Sequence, residues 1–566
     1  METSASLNGH SRSCDKAGRG SGRAVARTET RPPVRCSISR TAGVVSAARS
    51  LLIGVLLTPA SAQIVLPGTQ PHEHKLTLET VEQCAVCHSQ TASNRYDPYA
   101  SWQTGLMSLA SKDPVFRAAL AVANQDIPGI GDFCLRCHAP RGFLAGRTKP
   151  ADGSALEPDD SHGVSCATCH RLVDPRTPEA GWLTKTVPPG LGNGMMVFDP
   201  AYVMRGPYGD DPKLRMRPHQ ARQSPFVMSG HLCGTCHDVS NPTLATDVNT
   251  QPPHTYGHIE RTYSEWLLSD FAQQGRAGSC QACHYPAVAG GGYPSRFREN
   301  PKREPFAEHG PMGGSTWIQE AIWRLWDGRD MDRAALDRGR EKARRLLRTA
   351  AKLDVTFPDA ERARVRITNL AGHKLPTGYP EGRRMWLQAR FYDGNGQLIE
   401  ERGRYGERDD TVAGRAVRYP TLLDPERTRV YECLPAMSPA QAKKYGKTPG
   451  PSFFFVLNDV IAKDNRIPPK GFVNAAFAER HCEPVAAAYA DGQHWDDMDL
   501  ELPAGAARVE VRLLYQSVSA EYVKFLVEEN RSDEWSRRLH DVWTKTDFCP
   551  PEVVAEATAA VEKPGS

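Results

Sequence analysis

The pentapeptide Cys84-Ala-Val-Cys87-His88 decides the fold, because its C-x-x-C-H pattern occurs five times between residues 84 and 284. The other four copies are Cys134-Leu-Arg-Cys137-His138, Cys166-Ala-Thr-Cys169-His170, Cys233-Gly-Thr-Cys236-His237 and Cys280-Gln-Ala-Cys283-His284. Two thiols at this spacing each add to a vinyl group of one haem, and the histidine that follows binds the iron as its proximal ligand. The pattern therefore predicts five covalently bound haem c groups, with all ten motif cysteines as attachment points and the five motif histidines as metal ligands.

Two other uses of cysteine explain the pattern less well. Zinc sites take four ligands, usually from two C-x-x-C units, and do not require a histidine directly after the second cysteine. A disulfide framework accounts for cysteines in an exported protein but not for the five histidines. Outside the motifs, Cys433 and Cys482 are candidates for a disulfide that leaves Cys549 single, although the sequence does not fix the pairing.

Residues 1–62 have the composition of an export leader. A basic stretch precedes the apolar run Leu51–Leu57, and Ala60-Ser61-Ala62 follows it, which predicts a signal peptide that is cleaved after Ala62. The leader holds eight Arg and one Lys against three acidic residues, so the remaining chain has a net charge of −2, against +4 for the whole. Because this type of haem attachment follows translocation, we expect an exported protein, periplasmic or at the cell surface of a bacterium.

Composition excludes several classes of protein. The 566 residues are 40% hydrophobic and 24% charged, which suits two to four globular domains. The run Leu51–Leu57 is far shorter than the roughly 20 apolar residues of a membrane span, so an integral membrane protein is not expected. No basic run interleaved with aromatic residues indicates a nucleic-acid partner. The sequence also lacks the motifs of serine hydrolases, phosphate loops and zinc proteases.

Several segments around the motifs are similar to those of the cytochrome c-552/4 group, the c-554-like multihaem c-type cytochromes. They are Trp102–Met107 after the first motif, Leu232–Pro242 around the fourth, Thr262–Trp266 before the fifth and His309–Gly314 after it. The resemblance covers most of residues 80–320 and implies that His309 is a distal iron ligand. Met107 stands where the group has a distal histidine, so it is either a thioether ligand or a core residue beside Trp102.

Three further histidines are candidate distal ligands. His373 lies in Gly372-His-Lys-Leu-Pro-Thr-Gly378, which resembles an element of larger multihaem proteins. His219 and His162 precede the fourth and third motifs. If His373 binds an iron, the C-terminal part of the chain is docked onto the haem-binding part by that bond.

The pattern of apolar residues predicts a multidomain α+β fold. Residues 63–315 contain every motif and are expected to form a loop- and helix-rich pentahaem cytochrome domain. Apolar residues at three- and four-residue steps predict a helical connector over 316–352. From residue 353 the period becomes two and predicts an Ig-like β-sandwich over 353–518, followed by a helix that starts at Ser519 and a tail, within 519–566. The strands expected there include 430–434, 453–457 and 509–515, with a hairpin turn at Asp393–Gly396.

These observations favour electron transfer over catalysis. The chain is expected to pass electrons between redox partner proteins, the candidates being other cytochromes or a quinol-oxidising membrane complex. The alternative is a multihaem oxidoreductase that acts on a small nitrogen or sulfur compound at one haem with an open or labile distal site. A third possibility is a binding module in which the β-sandwich docks a partner and the haems relay charge.

Overall fold

The computed structural model describes residues 64–211, 218–297 and 300–561, so the leader predicted over 1–62 lies outside the described residues. Up to residue 297 the helices are short. They are α1 (Val81–His88), α2 (Pro98–Trp102), α3 (Pro114–Asp126), α4 (Gly131–His138), α5 (Pro140–Leu144), α6 (Cys166–His170), α7 (Ala180–Leu183), α8 (Gly230–Gly234), α9 (Thr262–Leu267) and α10 (Cys280–His284). The longest, α3, begins where the carboxylate of Asp113 accepts the backbone N–H of Val115, which caps its start.

Two-residue to four-residue strands join these helices. They are β1 (Leu172–Val173), β2 (Val197–Phe198), β3 (Val203–Gly206), β4 (Gln220–Gln223), β5 (Val239–Ser240) and β6 (His258–Glu260), and they pair as β1–β2, β3–β4 and β5–β6. Short 3-10 helices lie at Glu73–Lys75, Asn94–Tyr96, Leu106–Leu109, Pro158–His162, Pro242–Leu244, Pro253–Thr255 and Asp270–Gly278, and one at Pro425–Arg427. This part of the chain is therefore mostly connecting segments, as predicted.

Helices α11 (Ile318–Leu325) and α12 (Arg333–Leu347) occupy the stretch for which a helical connector is predicted. Ala321 and Ile322 of α11 are fully buried, in a cluster with Ala118 of α3. The connector thus packs against the first part of the chain.

The remaining residues are rich in antiparallel strands. The strands are β7 (Ala351–Thr356), β8 (Arg362–Asn369), β9 (Arg384–Tyr392), β10 (Leu398–Arg402), β11 (Tyr405–Val412), β12 (Arg415–Leu422), β13 (Val430–Tyr431), β14 (Cys433–Met437), β15 (Gly450–Pro451), β16 (Val460–Asp464), β17 (Trp495–Glu501), β18 (Arg508–Gln516) and β19 (Glu552–Ala560). The helices among them are α13 (Pro439–Tyr445), α14 (Asn474–Glu479), α15 (Ala520–Glu529) and α16 (Trp535–Thr544). The mixed α+β composition is confirmed.

One apolar core joins two of the sheets. The first sheet has the order β17-β8-β7, and the second has the order β10-β9-β18-β19 with β13 also on β9. Alternate residues of β8, β9 and β18, such as Val365, Leu387 and Val511, are at most 1% exposed and lie in the same cluster. This is the two-residue period that the sequence shows. The Ig-like topology stays a prediction.

Three local predictions are wrong. Residues 453–457 form a bend and a turn and not a strand: Phe453 and Phe454 pack against Phe525 of α15, whereas the next ring, Phe455, meets Tyr379. The closing helix divides into α15 and α16, and the side-chain oxygen of Asn530 accepts the N–H of Ser532 at the break. Residues 552–560, predicted as a tail, form β19 on β18. The small alanines of β19 gave the sequence only a weak alternation of apolar residues.

Buried charges connect the two halves of the molecule. Lys374 Nζ lies 2.7 Å from Asp464 Oδ2, and Arg466 pairs with the same carboxylate at 2.6 Å. Arg466 also lies 3.1 Å from Glu265 Oε1, which belongs to helix α9 of the first part. All four side chains are at most 4% exposed. The β-rich part is thus joined to the motif-bearing part through paired charges.

Cys433, Cys482 and Cys549 are buried free thiols in this structure. Within the described ranges, no helix has both the length and the apolar character needed to cross a membrane.

Candidate haem-binding sites

Each C-x-x-C-H motif lies on or beside a short helix. Helices α1 and α4 end at the motif histidines, and α6 and α10 span their whole motifs. Residues three and four apart share one face of a helix, so the two thiols and the imidazole of a motif point to the same side. This local geometry suits one porphyrin held by two thioethers and one imidazole.

The five motif histidines all use Nδ1 for a hydrogen bond. His88, His138, His170 and His284 donate to the backbone carbonyls of Pro294 (2.5 Å), Ala110 (3.0 Å), Arg205 (2.6 Å) and Met312 (2.5 Å), whereas the acceptor for His237 is the side chain of Glu260 (3.2 Å). A metal-binding histidine commonly donates its other ring N–H in this way, which fixes the ring orientation and leaves Nε2 for the metal.

Three motif histidines face a second histidine. The ring centres of His88 and His219, of His170 and His309, and of His284 and His373 are each 6.4 Å apart, with interplanar angles of 22°, 23° and 34°. An imidazole nitrogen binds a metal at about 2 Å and lies about 1.1 Å from its ring centre, so two imidazoles on opposite sides of one ion have centres about 6.2 Å apart. The three pairs therefore fit one iron between each pair of rings.

The environment of these rings also suits iron binding. Burial lowers the pKa of His284 and of His309 to about 4, and it also lowers the pKa of His373. Each ring is consequently neutral at pH 7 and can offer a nitrogen lone pair to a metal. A cavity of about 220 Å³ is lined by Cys87, His88 and His219, which are one thiol and both imidazoles of the first site. The residues present fit haem c at these motifs.

The second and fourth motifs differ from the other three. The ring of Phe116 stacks flat on that of His138, with centres 3.7 Å apart and an angle of 2°. In the part of the chain that the structure describes, no second histidine ring faces His138 or His237 as in the three pairs. On at least one side of the His138 and His237 rings, the environment therefore differs from that of the three paired motif histidines.

Thiols from different motifs lie close together. Cys84 lies beside Cys166, Cys137 beside Cys236, and Cys233 beside Cys280. These contacts place the first motif beside the third, the second beside the fourth and the fourth beside the fifth. Groups attached at these thiols would be close neighbours, as electron transfer between them requires.

Two predicted ligands lie elsewhere in the motif-bearing part. The ring of His162 meets the ring of Trp102 edge-on, with ring centres 6.2 Å apart. One ring nitrogen of His162 and one carboxylate oxygen from each of Glu82 and Asp159 lie within 4.8 Å of one another. Tyr285, which directly follows the fifth motif, donates a hydrogen bond of 3.7 Å from its hydroxyl to Met107 Sδ. Neither residue faces a motif histidine, and their role as ligands stays a prediction.

Sequence reasoning missed Glu260 as part of a site. It lies 23 residues after His237, and the pairing of Val239 with Glu260 in the β5–β6 hairpin returns it to the motif. Because no spacing rule links a motif histidine to such a carboxylate, only the hairpin register reveals the contact.

Comparison with known proteins supports the motif assignment. Residues 83–171, which contain the first three motifs, match the family model of cytochrome c554 and c-prime. The resemblance to multihaem c-type cytochromes is thus confirmed, together with a haem-based redox role. Among solved structures, a penta-heme cytochrome c552 from Thermochromatium tepidum is similar at 16% identity, with 86% of this chain and 99% of that chain covered and a TM-score of 0.48. No curated protein matches the chain.

Proposed function

We propose that this protein is an exported pentahaem c-type cytochrome that transfers electrons between redox partner proteins, other cytochromes or a quinol-oxidising membrane complex being the candidates. The observation that carries the proposal is the set of three imidazole pairs, each formed by one motif histidine and one of His219, His309 and His373. Bound haem c supplies one-electron chemistry at iron, and six-coordination favours electron transfer over binding of a substrate.

The role of the polypeptide in this proposal is to hold and tune the redox groups. Backbone carbonyls fix the rings of four motif histidines, and the fold brings attachment cysteines of different motifs close together. His373 is on the loop before β9, so the β-rich part contributes a ligand to the fifth site.

Replacement of His373 tests the proposal. In His373→Ala, we expect the haem count of five to be unchanged, one ferric low-spin signal to disappear from the magnetic spectra, and the reduced protein to bind CO at one haem more than wild type does. His494→Ala is the matched control, because His494 is a partly buried histidine whose ring meets Trp495 and whose Nδ1 contacts the Gly492 carbonyl of its own turn, away from every motif histidine. A variant with the spectra of wild type and no additional CO binding would contradict ligation by His373, and a purified protein without haem would contradict the proposed function.

A second candidate function rests on the second and fourth sites. Because His138 and His237 face no histidine partner within the described residues, one of these haems is the place for reduction or oxidation of a small nitrogen or sulfur compound. CO binding by the reduced wild-type protein, followed by turnover assays with such compounds, separates this function from simple electron transfer.

A further inference from the structure

The fourth motif is the one whose proximal histidine contacts a carboxylate. His237 Nδ1 lies 3.2 Å from Glu260 Oε1, whereas the other four motif histidines donate to backbone carbonyls. The Glu260 side chain is 13% exposed, so water screens its charge poorly. A hydrogen bond to a carboxylate shifts more electron density onto an imidazole than a bond to a neutral carbonyl does.

The carboxylate is held in place from the C-terminal part of the chain. The Thr262 hydroxyl lies 3.0 Å from Glu260 Oε1 and 2.9 Å from the Thr377 hydroxyl. The Thr377 hydroxyl in turn donates to Glu265 Oε2 at 2.6 Å. These contacts form a line from the fourth motif to the loop that also carries His373.

We propose that Glu260 is a positioning residue that gives the haem of the fourth motif a lower reduction potential than a backbone acceptor would. Greater donation from His237 and a buried negative charge both stabilise Fe(III) relative to Fe(II). The Thr262 hydroxyl donates to the carboxylate, and the Thr377 oxygen packs 2.9 Å from the Thr262 oxygen, so the loop that carries His373 also lies beside the fourth site. The inference rests on the proposed function insofar as it requires haem at Cys233 and Cys236.

Potentiometric titration of the purified holoprotein, followed by optical and electron paramagnetic resonance spectra, tests this inference. In Glu260→Gln we expect one midpoint potential to rise by about 59 mV, a tenfold change in its reduction equilibrium. The magnetic signal of that haem should shift, and the other four haems should be unchanged. Thr377→Val should shift the same haem in the same direction by less.

Glu79→Gln is the matched control. Glu79 is 15% exposed and pairs with Arg171 at 2.9 Å directly after the third motif, and its carboxylate is bonded to Arg171 and not to a motif histidine. The inference would be overturned if every midpoint potential stays unchanged in Glu260→Gln. It would also be overturned if Glu79→Gln raises a midpoint potential by the same amount. Haem counting on the same samples separates these outcomes from a failure of the proposed function, which would appear as unmodified Cys233 and Cys236.

Discussion

Strand β18 and helix α10 represent two ways of holding a short segment in place. The nine residues of β18 are paired on both sides, with β9 and β19, and Val509, Val511 and Leu513 enter one large apolar core. The five residues of α10 include no buried side chain, and an isolated helix needs about 12–15 residues to be stable in water. Strand β18 is thus stabilised by its own side chains, whereas α10 has no buried side chain and, on the proposed function, relies on the group attached to its cysteines.

The largest expected effect comes from withholding haem. When the full chain is expressed without a haem-attachment system, we expect residues 64–297 to lose protection while strands β8, β9 and β18 keep it, because their core contains no motif residue. Hydrogen exchange with mass spectrometry, compared with the holoprotein, measures both regions in one sample. Equal protection of α10 from hydrogen exchange with and without haem would contradict the prediction that the motif-bearing part depends on haem for its stability.

The next largest effect concerns the charges at the junction. Asp464→Asn leaves Lys374 and Arg466 as buried cations without a carboxylate partner on that strand, and breaking a buried ion pair costs about 3–5 kcal/mol. Denaturant unfolding of the holoprotein measures the loss. Asp497→Asn, on the exposed face of β17, is the control with the same chemical change. A loss as small as in this control would show that the junction does not depend on these charges.

A third prediction concerns pH. Burial raises the pKa of Glu381 to about 8 from its usual 4.5, so the folded protein holds a proton that the unfolded chain releases. Its contribution to stability is full below pH 4.5 and is lost as the pH rises through 8. We expect wild type to lose about 2–4 kcal/mol relative to Glu381→Gln between pH 5 and pH 9.

Unfolding curves at several pH values measure the difference between these two proteins. Glu528→Gln, on the exposed side of α15, should keep the pH dependence of wild type. Parallel curves for wild type and Glu381→Gln would contradict the predicted proton uptake.

The smallest effect is expected on the outer face of the sheet. Arg366 makes two hydrogen bonds of 2.8 Å with Asp497, but the two side chains are 46% and 30% exposed. Arg366→Gln should therefore cost less than about 1 kcal/mol, and the cost should decrease with added salt. Unfolding at low and high ionic strength checks this, and a cost comparable with that of Asp464→Asn would contradict it.

The sequence predicted those features that depend on local pattern. The two-residue alternation of Ala363, Val365 and Ile367 indicated β8. Ser519 was expected to cap a helix, and its hydroxyl accepts the N–H of Tyr522. Features set by distant contacts were not predictable: β19 has few large apolar residues, and Glu260 reaches His237 only through a hairpin.

In each of the three imidazole pairs the partner ring comes later in the chain than its motif, as His219 does after His88. A polypeptide secreted N-terminus first would present each motif to the attachment machinery before the second ring has emerged. On the proposed function, the motif cysteines and histidine would hold each haem first, and His219, His309 or His373 would supply the second imidazole once its downstream segment has been exported. If the proposed function holds, the order of the histidines along the chain sets the order in which the two sides of each site become available.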